Sequence, residues 1–119
     1  MTLLTKAHRE KLFANHQAQQ EMLRETDGGS EDLKPVVKLF DAFGSAYWLL
    51  TEMDEDGIAF GLCDLFGDGV SHEIGSVSVA ELESLELMPG CPRVERDRWF
   101  TAEKTLWAYH QDAGKGIRP

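Results

Sequence analysis

The residue types best suited to chemistry are carboxylates and a histidine in the middle of this 119-residue chain. Divalent-metal sites in nucleases and hydrolases need several converging carboxylates or histidines. Glu52, Asp64, His72 and Glu73 would meet that requirement if the strands that carry them pair side by side. One hypothesis is therefore a small divalent-metal-dependent enzyme of the nuclease or hydrolase type.

The charge pattern favours a different function. Residues 39–92 contain eleven acidic residues and no lysine or arginine, whereas residues 1–38 carry six of each sign and residues 93–119 carry six basic and four acidic residues. A surface of one sign attracts partners of the opposite sign. We therefore expect an acidic binding face formed by Glu52, Asp54, Glu55, Asp56, Asp64, Asp68 and Glu73.

The same charge argues against other partners and chemistries. The net charge is −9, which disfavours contact of this face with nucleic-acid phosphates or anionic membranes. Cys63 and Cys91 are too few for a zinc quartet or a disulfide framework, and we expect both to be reduced. Sequence motifs of serine hydrolases and of nucleotide-binding loops are absent. We assign no catalytic residue and no cofactor.

Asp64 also has a structural explanation. It follows an apolar run that begins at Phe60, and burying a carboxylate without partners is costly. Accepting hydrogen bonds from backbone or hydroxyl donors of the next turn is therefore the alternative to a role in binding or metal coordination. For Asp54 and Asp56 the structural alternative is a solvated hairpin loop that ends at Gly57.

The N-terminal quarter of the chain predicts a helix. Residues 4–24 contain no glycine or proline, and Thr5 is a suitable N-cap. The apolar stripe of this helix is thin, which predicts partial packing or an arm that orders on a partner. Residues 26–32 are polar and turn-rich. We therefore expect an N-terminal helix and flexible linker in residues 1–32 and a compact domain in residues 33–119.

The compact domain shows short apolar runs separated by turn residues, which predicts an antiparallel meander. A Ser-x-x-Glu capping box at Ser78 predicts the start of a helix. The predicted strands are residues 36–40, 47–53, 58–65, 73–77 and 94–100, and the predicted helices are residues 79–87 and 102–112. The predicted class is α+β: a mainly antiparallel four- to five-stranded sheet with two helices packed on one face and an N-terminal helical appendage.

Four runs carry a family resemblance: WLLTE at 48–52, FGLCDL at 60–65, GSVSVAEL at 75–82 and VERD at 94–97. In this order they resemble a family of short bacterial proteins with a domain of unknown function, carried on plasmids and other mobile elements. The resemblance covers roughly residues 34–112. It implies a bacterial cytoplasm and accessory mobile DNA, and it brings no activity or catalytic residues with it.

Charge and resemblance together favour a non-enzymatic accessory protein of a bacterial mobile element that binds a basic protein partner. A DNA mimic or an anti-defence factor is the most specific form of this hypothesis. The metal-dependent enzyme is the alternative, and a homodimer formed through the N-terminal helix is a third hypothesis. We expect a cytoplasmic protein without a membrane segment, because no apolar run approaches the roughly 20 residues that span a bilayer.

Overall fold

A computed structural model describes residues 3–119 of the chain. Its elements in chain order are α1 (Lys6–Glu25), β1 (Val37–Asp41), β2 (Tyr47–Met53), β3 (Ile58–Asp64), β4 (His72–Ser78), α2 (Val79–Ser84), β5 (Glu86–Met88), β6 (Cys91–Pro92), β7 (Val94–Arg96) and α3 (Leu106–Gly114). Five strands form one antiparallel sheet in the order β4-β3-β2-β1-β7, and β5 pairs with β6. The predicted α+β class is confirmed.

The central strand β2 organises the core because both of its faces are apolar. Its bounds are those predicted from the sequence, and Leu49 and Leu50, which point to opposite faces, are both almost fully buried. A strand that is apolar on both faces needs a covering layer on each side. The fold accordingly has helices on both faces of the sheet.

Helix α1 covers one face. Thr5 caps it, since the Thr5 hydroxyl accepts a hydrogen bond from the His8 amide and His8 Nδ1 accepts one from the Thr5 amide. Leu12 is fully buried and belongs to the same hydrophobic cluster as Trp48 and Leu50 of β2. The helix is therefore packed more closely than the expected appendage, because its few apolar side chains meet an apolar face of β2.

Helix α3 covers the opposite face. Leu106 and Tyr109 pack there with Tyr47, Leu49 and Leu62 of the sheet. Helix α2 contributes its own apolar side chains to the cluster on the α1 face. The expectation that α2 and α3 share one face is thus wrong, because β2 presents apolar side chains to both sides.

Several element ends differ from the predicted ones because of long-range contacts. The helix expected at 79–87 ends at Ser84, since Glu86–Met88 pairs with Cys91–Pro92. The C-terminal helix starts at Leu106, where the Leu33 carbonyl accepts the Leu106 amide at 2.8 Å. The Asp32 carboxylate accepts the Trp107 amide at 3.1 Å. The segment expected to be a linker therefore caps α3.

The same segment is tied to α1. The Gln19 side chain donates to the Glu31 carbonyl at 2.6 Å and accepts from the Glu31 amide at 2.9 Å. Residues 26–35 contain neither helix nor strand. No helix within residues 3–119 combines the length and apolar character needed to cross a membrane.

Candidate functional site

A groove of about 710 Å³ lies between the end of α1, the sheet and α3. We call it the Glu52 groove. Its apolar lining residues are Leu23, Leu33, Phe60, Ile74, Leu106 and Trp107, and its polar lining residues are Gln19, Ser30, Glu31, Asp32, Thr51, Glu52 and His110. A groove with apolar and aromatic walls that also presents polar groups is suited to a ligand or peptide.

A β-bulge places Glu52 in this groove. The register of β2 and β3 passes from the pair Leu50–Gly61 to the pair Glu52–Phe60, so Thr51 is an extra residue on β2. Regular alternation would put Glu52 on the same face as Leu50. The bulge reverses the alternation, because Met53 joins the α1-face cluster and Glu52 lines the groove on the α3 side. Bulges of this kind re-aim side chains near functional sites.

Gly61 makes the bulge sterically feasible. A β-carbon at position 61 would lie 1.8 Å from the Leu49 carbonyl oxygen and 2.9 Å from the Leu50 α-carbon. Only glycine permits this close approach of the two backbones. The Thr51 hydroxyl also donates to the Phe60 carbonyl at 3.3 Å. The glycine in the FGLCDL run thus permits the close backbone approach next to the bulge that places Glu52 in the groove.

The environment of Glu52 is partly apolar. Burial raises the pKa of Glu52, while the nearby Gln19 side chain and His16 act in the opposite direction. Desolvation disfavours the ionised carboxylate, and a cationic ligand would restore its stability. The groove can therefore accept a positively charged or hydrogen-bond-donating group beside an apolar surface.

One wall of the groove is aromatic. Trp107 is 54% exposed, and its ring centroid lies 5.0 Å from that of His110. The His110 ring also contacts His72 of β4 at 4.9 Å between centroids. Burial lowers the pKa of His110, and His72 lowers it further. The Nδ1 atoms of both histidines are buried without a hydrogen-bond partner among the described residues.

A second depression lies on the other side of α1. This hairpin pocket, of about 750 Å³, is lined by Phe13, His16, Gln17, Gln20, Glu21, Arg24, Asp54, Glu55 and Asp56. The Asp54 carboxylate shapes the adjacent turn by accepting the amides of Asp56 and Ile58 at 2.9 and 3.0 Å. The expected hairpin loop is therefore present, and it brings three carboxylates beside α1.

The two depressions together define what we call the acidic surface. Its seven carboxylates are Glu21, Glu31, Asp32, Glu52, Asp54, Glu55 and Asp56. Among the described residues that line either depression, Arg24 is the single lysine or arginine. The structure thus brings together four residues of the predicted acidic face and adds three from the N-terminal region.

The remaining three predicted residues lie elsewhere. Asp64, Asp68 and Glu73 belong to the far end of the β3–β4 hairpin, about 20 Å from the β2–β3 loop along β3. Asp64 is 1% exposed, so it cannot contact a partner at the surface. It accepts hydrogen bonds from the Tyr47 hydroxyl and from the Phe66 and Gly67 amides. This is the structural role that burial of a carboxylate requires.

Asp68 and Glu73 are exposed but separate from the acidic surface. The Asp68 carboxylate accepts the Val70 and Ser71 amides at 2.9 and 2.8 Å, and these bonds lower its pKa. Glu73 lies on the edge strand β4. The expected single face therefore divides into two regions, because the two hairpins that carry the acids turn at opposite ends of the sheet.

Basic residues from the flanks pair with two further acids of the middle segment. Arg93 Nε lies 2.9 Å from Asp41 Oδ2, and an Arg9 guanidinium nitrogen lies 3.6 Å from Glu83 Oε1. These contacts could not be predicted from the charge pattern, since the partners are distant in sequence. No carboxylate of the acidic surface, by contrast, forms an ion pair with another described residue.

The four residues proposed as metal ligands are not brought together. Glu52 pairs with Phe60, whereas Asp64 pairs with Tyr47 at the other end of β2. His72 lies opposite Asp64, but Glu73 lies opposite Cys63 and its side chain is on the other face. Within residues 3–119, no three histidine, cysteine, aspartate or glutamate side chains are grouped in a way that could hold a metal ion.

The cysteines are free thiols. Burial, followed by the charges of Glu73 and Asp64, raises the pKa of Cys63 to about 11. The Cys63 thiol is therefore protonated at neutral pH, and a thiol in that state is a poor nucleophile. Its half-buried position beside the α1-face cluster fits a packing role.

Sequence reasoning missed the residues that reach the site from outside the middle segment. The residue pattern predicts that Glu31 and Asp32 lie in a linker and that Trp107 lies in a packed helix. The sequence carried one usable signal, because Asp32 lies next to the domain boundary and aspartate is a common helix cap. That it caps a helix more than 70 residues later follows only from the tertiary structure.

Comparisons with known proteins extend the resemblance found in the sequence. Searches among curated proteins and among solved structures found no match. A family model described as a protein of unknown function matches residues 3–116, so the matched length includes helix α1, which the resemblance had left out. The chain therefore belongs to the family DUF2958, a family of proteins of unknown function.

Proposed function

We propose that this protein is a non-enzymatic binding protein that engages a basic protein partner through the acidic surface. The supporting observation is the concentration of seven carboxylates around two adjacent depressions whose lining includes one arginine among the described residues. Charge of opposite sign across an interface speeds encounter and selects the partner. The apolar walls of the Glu52 groove supply contact area that charge alone does not provide.

The proposed setting is the one that the sequence resemblance implies. The protein would act in the bacterial cytoplasm as an accessory factor of a plasmid or other mobile element. Its most specific form is a DNA mimic or anti-defence factor, whose partner would present a basic DNA-binding surface. Nucleic acid itself is not the proposed ligand, because phosphates would meet charge of their own sign.

The test compares two triple variants that change the net charge equally. One neutralises the acidic surface with Glu52→Gln, Glu55→Gln and Asp56→Asn. The control neutralises three exposed carboxylates outside it with Glu81→Gln, Glu95→Gln and Glu103→Gln. Each protein captures partners from a bacterial lysate at low and high salt, and the captured protein is then purified and its Kd measured directly.

The expected result is a purified basic partner whose Kd is about tenfold weaker for the acidic-surface variant and unchanged for the control. Affinity should also fall with added salt, because exposed charges are screened. Equal affinity of both variants would contradict the proposal, as would the absence of any basic protein at low salt. Competition with DNA for the purified partner would support the mimic over other forms of binding.

A further inference from the structure

The edge strand β4 has an unpaired side. It ends the sheet next to β3. The Val79 amide donates to the Gly57 carbonyl, and the Leu65 amide donates to the Ser71 carbonyl. In this register the odd-numbered residues of β4 form the backbone hydrogen bonds to β3. Because antiparallel strands alternate, the backbone groups of His72, Ile74 and Ser76 point away from the sheet. Within residues 3–119, no further backbone group pairs with them.

This edge has little of the usual protection against strand addition. Natural edge strands are kept short or carry charged residues, proline or a bulge. β4 has seven residues, carries Glu73 but no Lys, Arg or Pro, and pairs with β3 without a register shift. The other edge, β7, has three residues, two of which are Glu95 and Arg96. One edge of the sheet is thus protected and the other is open.

The side chains along β4 indicate what an added strand would carry. Ile74 faces the Glu52 groove, where Phe60 is 36% exposed and Trp107 is 54% exposed. Glu73 is exposed and faces the other side of the sheet. Directly opposed residues on neighbouring strands interact, and opposite charges stabilise the pair. An added strand would therefore place apolar side chains on the groove side and a basic side chain beside Glu73.

Two kinds of strand could pair with this edge: β4 of a second copy of this chain, or an extended segment of a basic partner. Their charges distinguish them. Pairing of β4 with β4 of a second copy would bring together two chains that each carry a net charge of −9, and it would bring the two Glu73 carboxylates close. A basic segment instead meets charge of the opposite sign at Glu73 of this edge and at Glu52 of the groove that Ile74 also lines. The partner chemistry is therefore the same as in the proposed function.

We propose that the β4 edge binds an extended segment of the basic partner as an added strand, in which apolar residues alternate with lysine or arginine. Its backbone pairs with His72, Ile74 and Ser76, its apolar residues contact Ile74, Phe60 and Trp107, and a basic residue lies opposite Glu73. Such strand addition gains affinity from main-chain hydrogen bonds and specificity from alternate side chains. The identity of the partner rests on the proposed function, whereas the binding mode rests on the strand edge.

The experiment uses a fluorescent octapeptide of alternating valine and lysine as the probe, with the full-length protein. Ser76→Pro removes an outward amide, which an edge strand tolerates, and Ser76→Ala is the control that keeps the amide. We expect Ser76→Pro to weaken peptide binding at least about tenfold, and Ser76→Ala to bind as the wild type does. In amide hydrogen exchange, Ile74 and Ser76 should exchange fast in the free protein and slowly in the complex.

A second probe leaves the protein unchanged. N-methylation of alternate peptide amides should abolish binding for one set of positions and preserve it for the other, because one edge of the added strand faces β4. Equal binding of both methylated peptides, equal binding to Ser76→Pro and Ser76→Ala, or no binding of the peptide would overturn the inference. A dimer that Ser76→Pro abolishes would also overturn it, since the occupant would be a second copy.

These outcomes are distinct from failure of the proposed function. If the purified partner responds to the acidic-surface variant but not to Ser76→Pro, the proposed function stands and the strand-addition mode is wrong. If the partner responds to Ser76→Pro but not to the charge variants, the strand-addition mode stands and the proposed function is wrong.

Discussion

Tyr47 donates a hydrogen bond from its phenolic hydroxyl to the Asp64 carboxylate at 3.1 Å, and the two residues lie opposite each other in the register of β2 and β3. Both side chains are almost fully buried. Burial, and then the negative charge of Asp64, raises the pKa of Tyr47. The pair links the centre of the sheet to the β3–β4 turn, whose Phe66 and Gly67 amides donate to the same carboxylate.

Removing the Asp64 carboxylate should therefore destabilise the fold. We predict that Asp64→Ala lowers the free energy of unfolding by about 3 kcal/mol, because it leaves the Tyr47 hydroxyl and two amides without acceptors. Tyr47→Phe should cost about 1 kcal/mol. The double variant should lose less free energy of unfolding than the sum of the two single losses, because without Tyr47 no hydroxyl is left without an acceptor. Urea denaturation measures the free energy of unfolding of the three variants. Strictly additive losses would contradict an interaction between Tyr47 and Asp64.

The bulge that positions Glu52 gives a second prediction. Gly61→Ala should lower the free energy of unfolding by at least about 3 kcal/mol, because the new methyl group would meet the Leu49 backbone. Gly75→Ala on the neighbouring strand is the matched control, since a β-carbon there meets no atom within 4 Å. That variant should be neutral or slightly stabilising, by up to about 1 kcal/mol. Thermal and urea unfolding check both, and similar stabilities would refute the steric argument.

Stability should also depend on pH through His110. Because its pKa is lowered in the folded protein, the unfolded chain binds this proton more readily. The contribution of neutral His110 is fully present above the ordinary histidine pKa of about 6.5, and it is lost as the pH falls through the folded value. We therefore predict that the free energy of unfolding decreases from pH 7.5 towards pH 5.5.

The control for this prediction is His110→Gln, measured by urea denaturation at the same pH values. Its stability should change less with pH than that of the wild type. The raised pKa of Glu52 makes stability change with pH in the opposite direction. Its stabilising effect is present below the ordinary glutamate pKa and is lost as the pH rises through the folded pKa. Both proteins share that contribution, so the difference between their curves isolates His110. Parallel curves would exclude His110 as the source.

Local patterns predicted the elements well where a single segment determines its own structure. β2 has the predicted bounds because its residues are apolar until an acidic loop interrupts them. Thr5 caps α1 as expected, since the Thr5 hydroxyl accepts from the His8 amide only three residues away. The structural alternative for Asp64 is also confirmed, since the Phe66 and Gly67 amides of the next turn donate to its carboxylate. In each case the physical cause lies within a few residues of the feature.

The contacts between distant segments could not be predicted in the same way. The thin stripe of α1 suggested weak packing, yet Leu12 is fully buried, because the opposing face of β2 is apolar. Asp32 and Trp107 meet across 75 positions. The charge count predicts an acidic region, but it does not predict that this region is divided in two. The division arises because the β2–β3 and β3–β4 hairpins turn at opposite ends of the sheet.

The sequence by itself determined the α+β class, most of the strands and the negative charge of the middle segment, because hydrophobic spacing and composition are properties of the chain. The tertiary structure alone decided which carboxylates lie together. One extra residue in β2 turns Glu52 to the groove, two flanking arginines pair with Asp41 and Glu83, and the fold leaves one edge of the sheet open. Register, pairing and exposure are relations between segments, and the order of residues along a chain does not specify them locally.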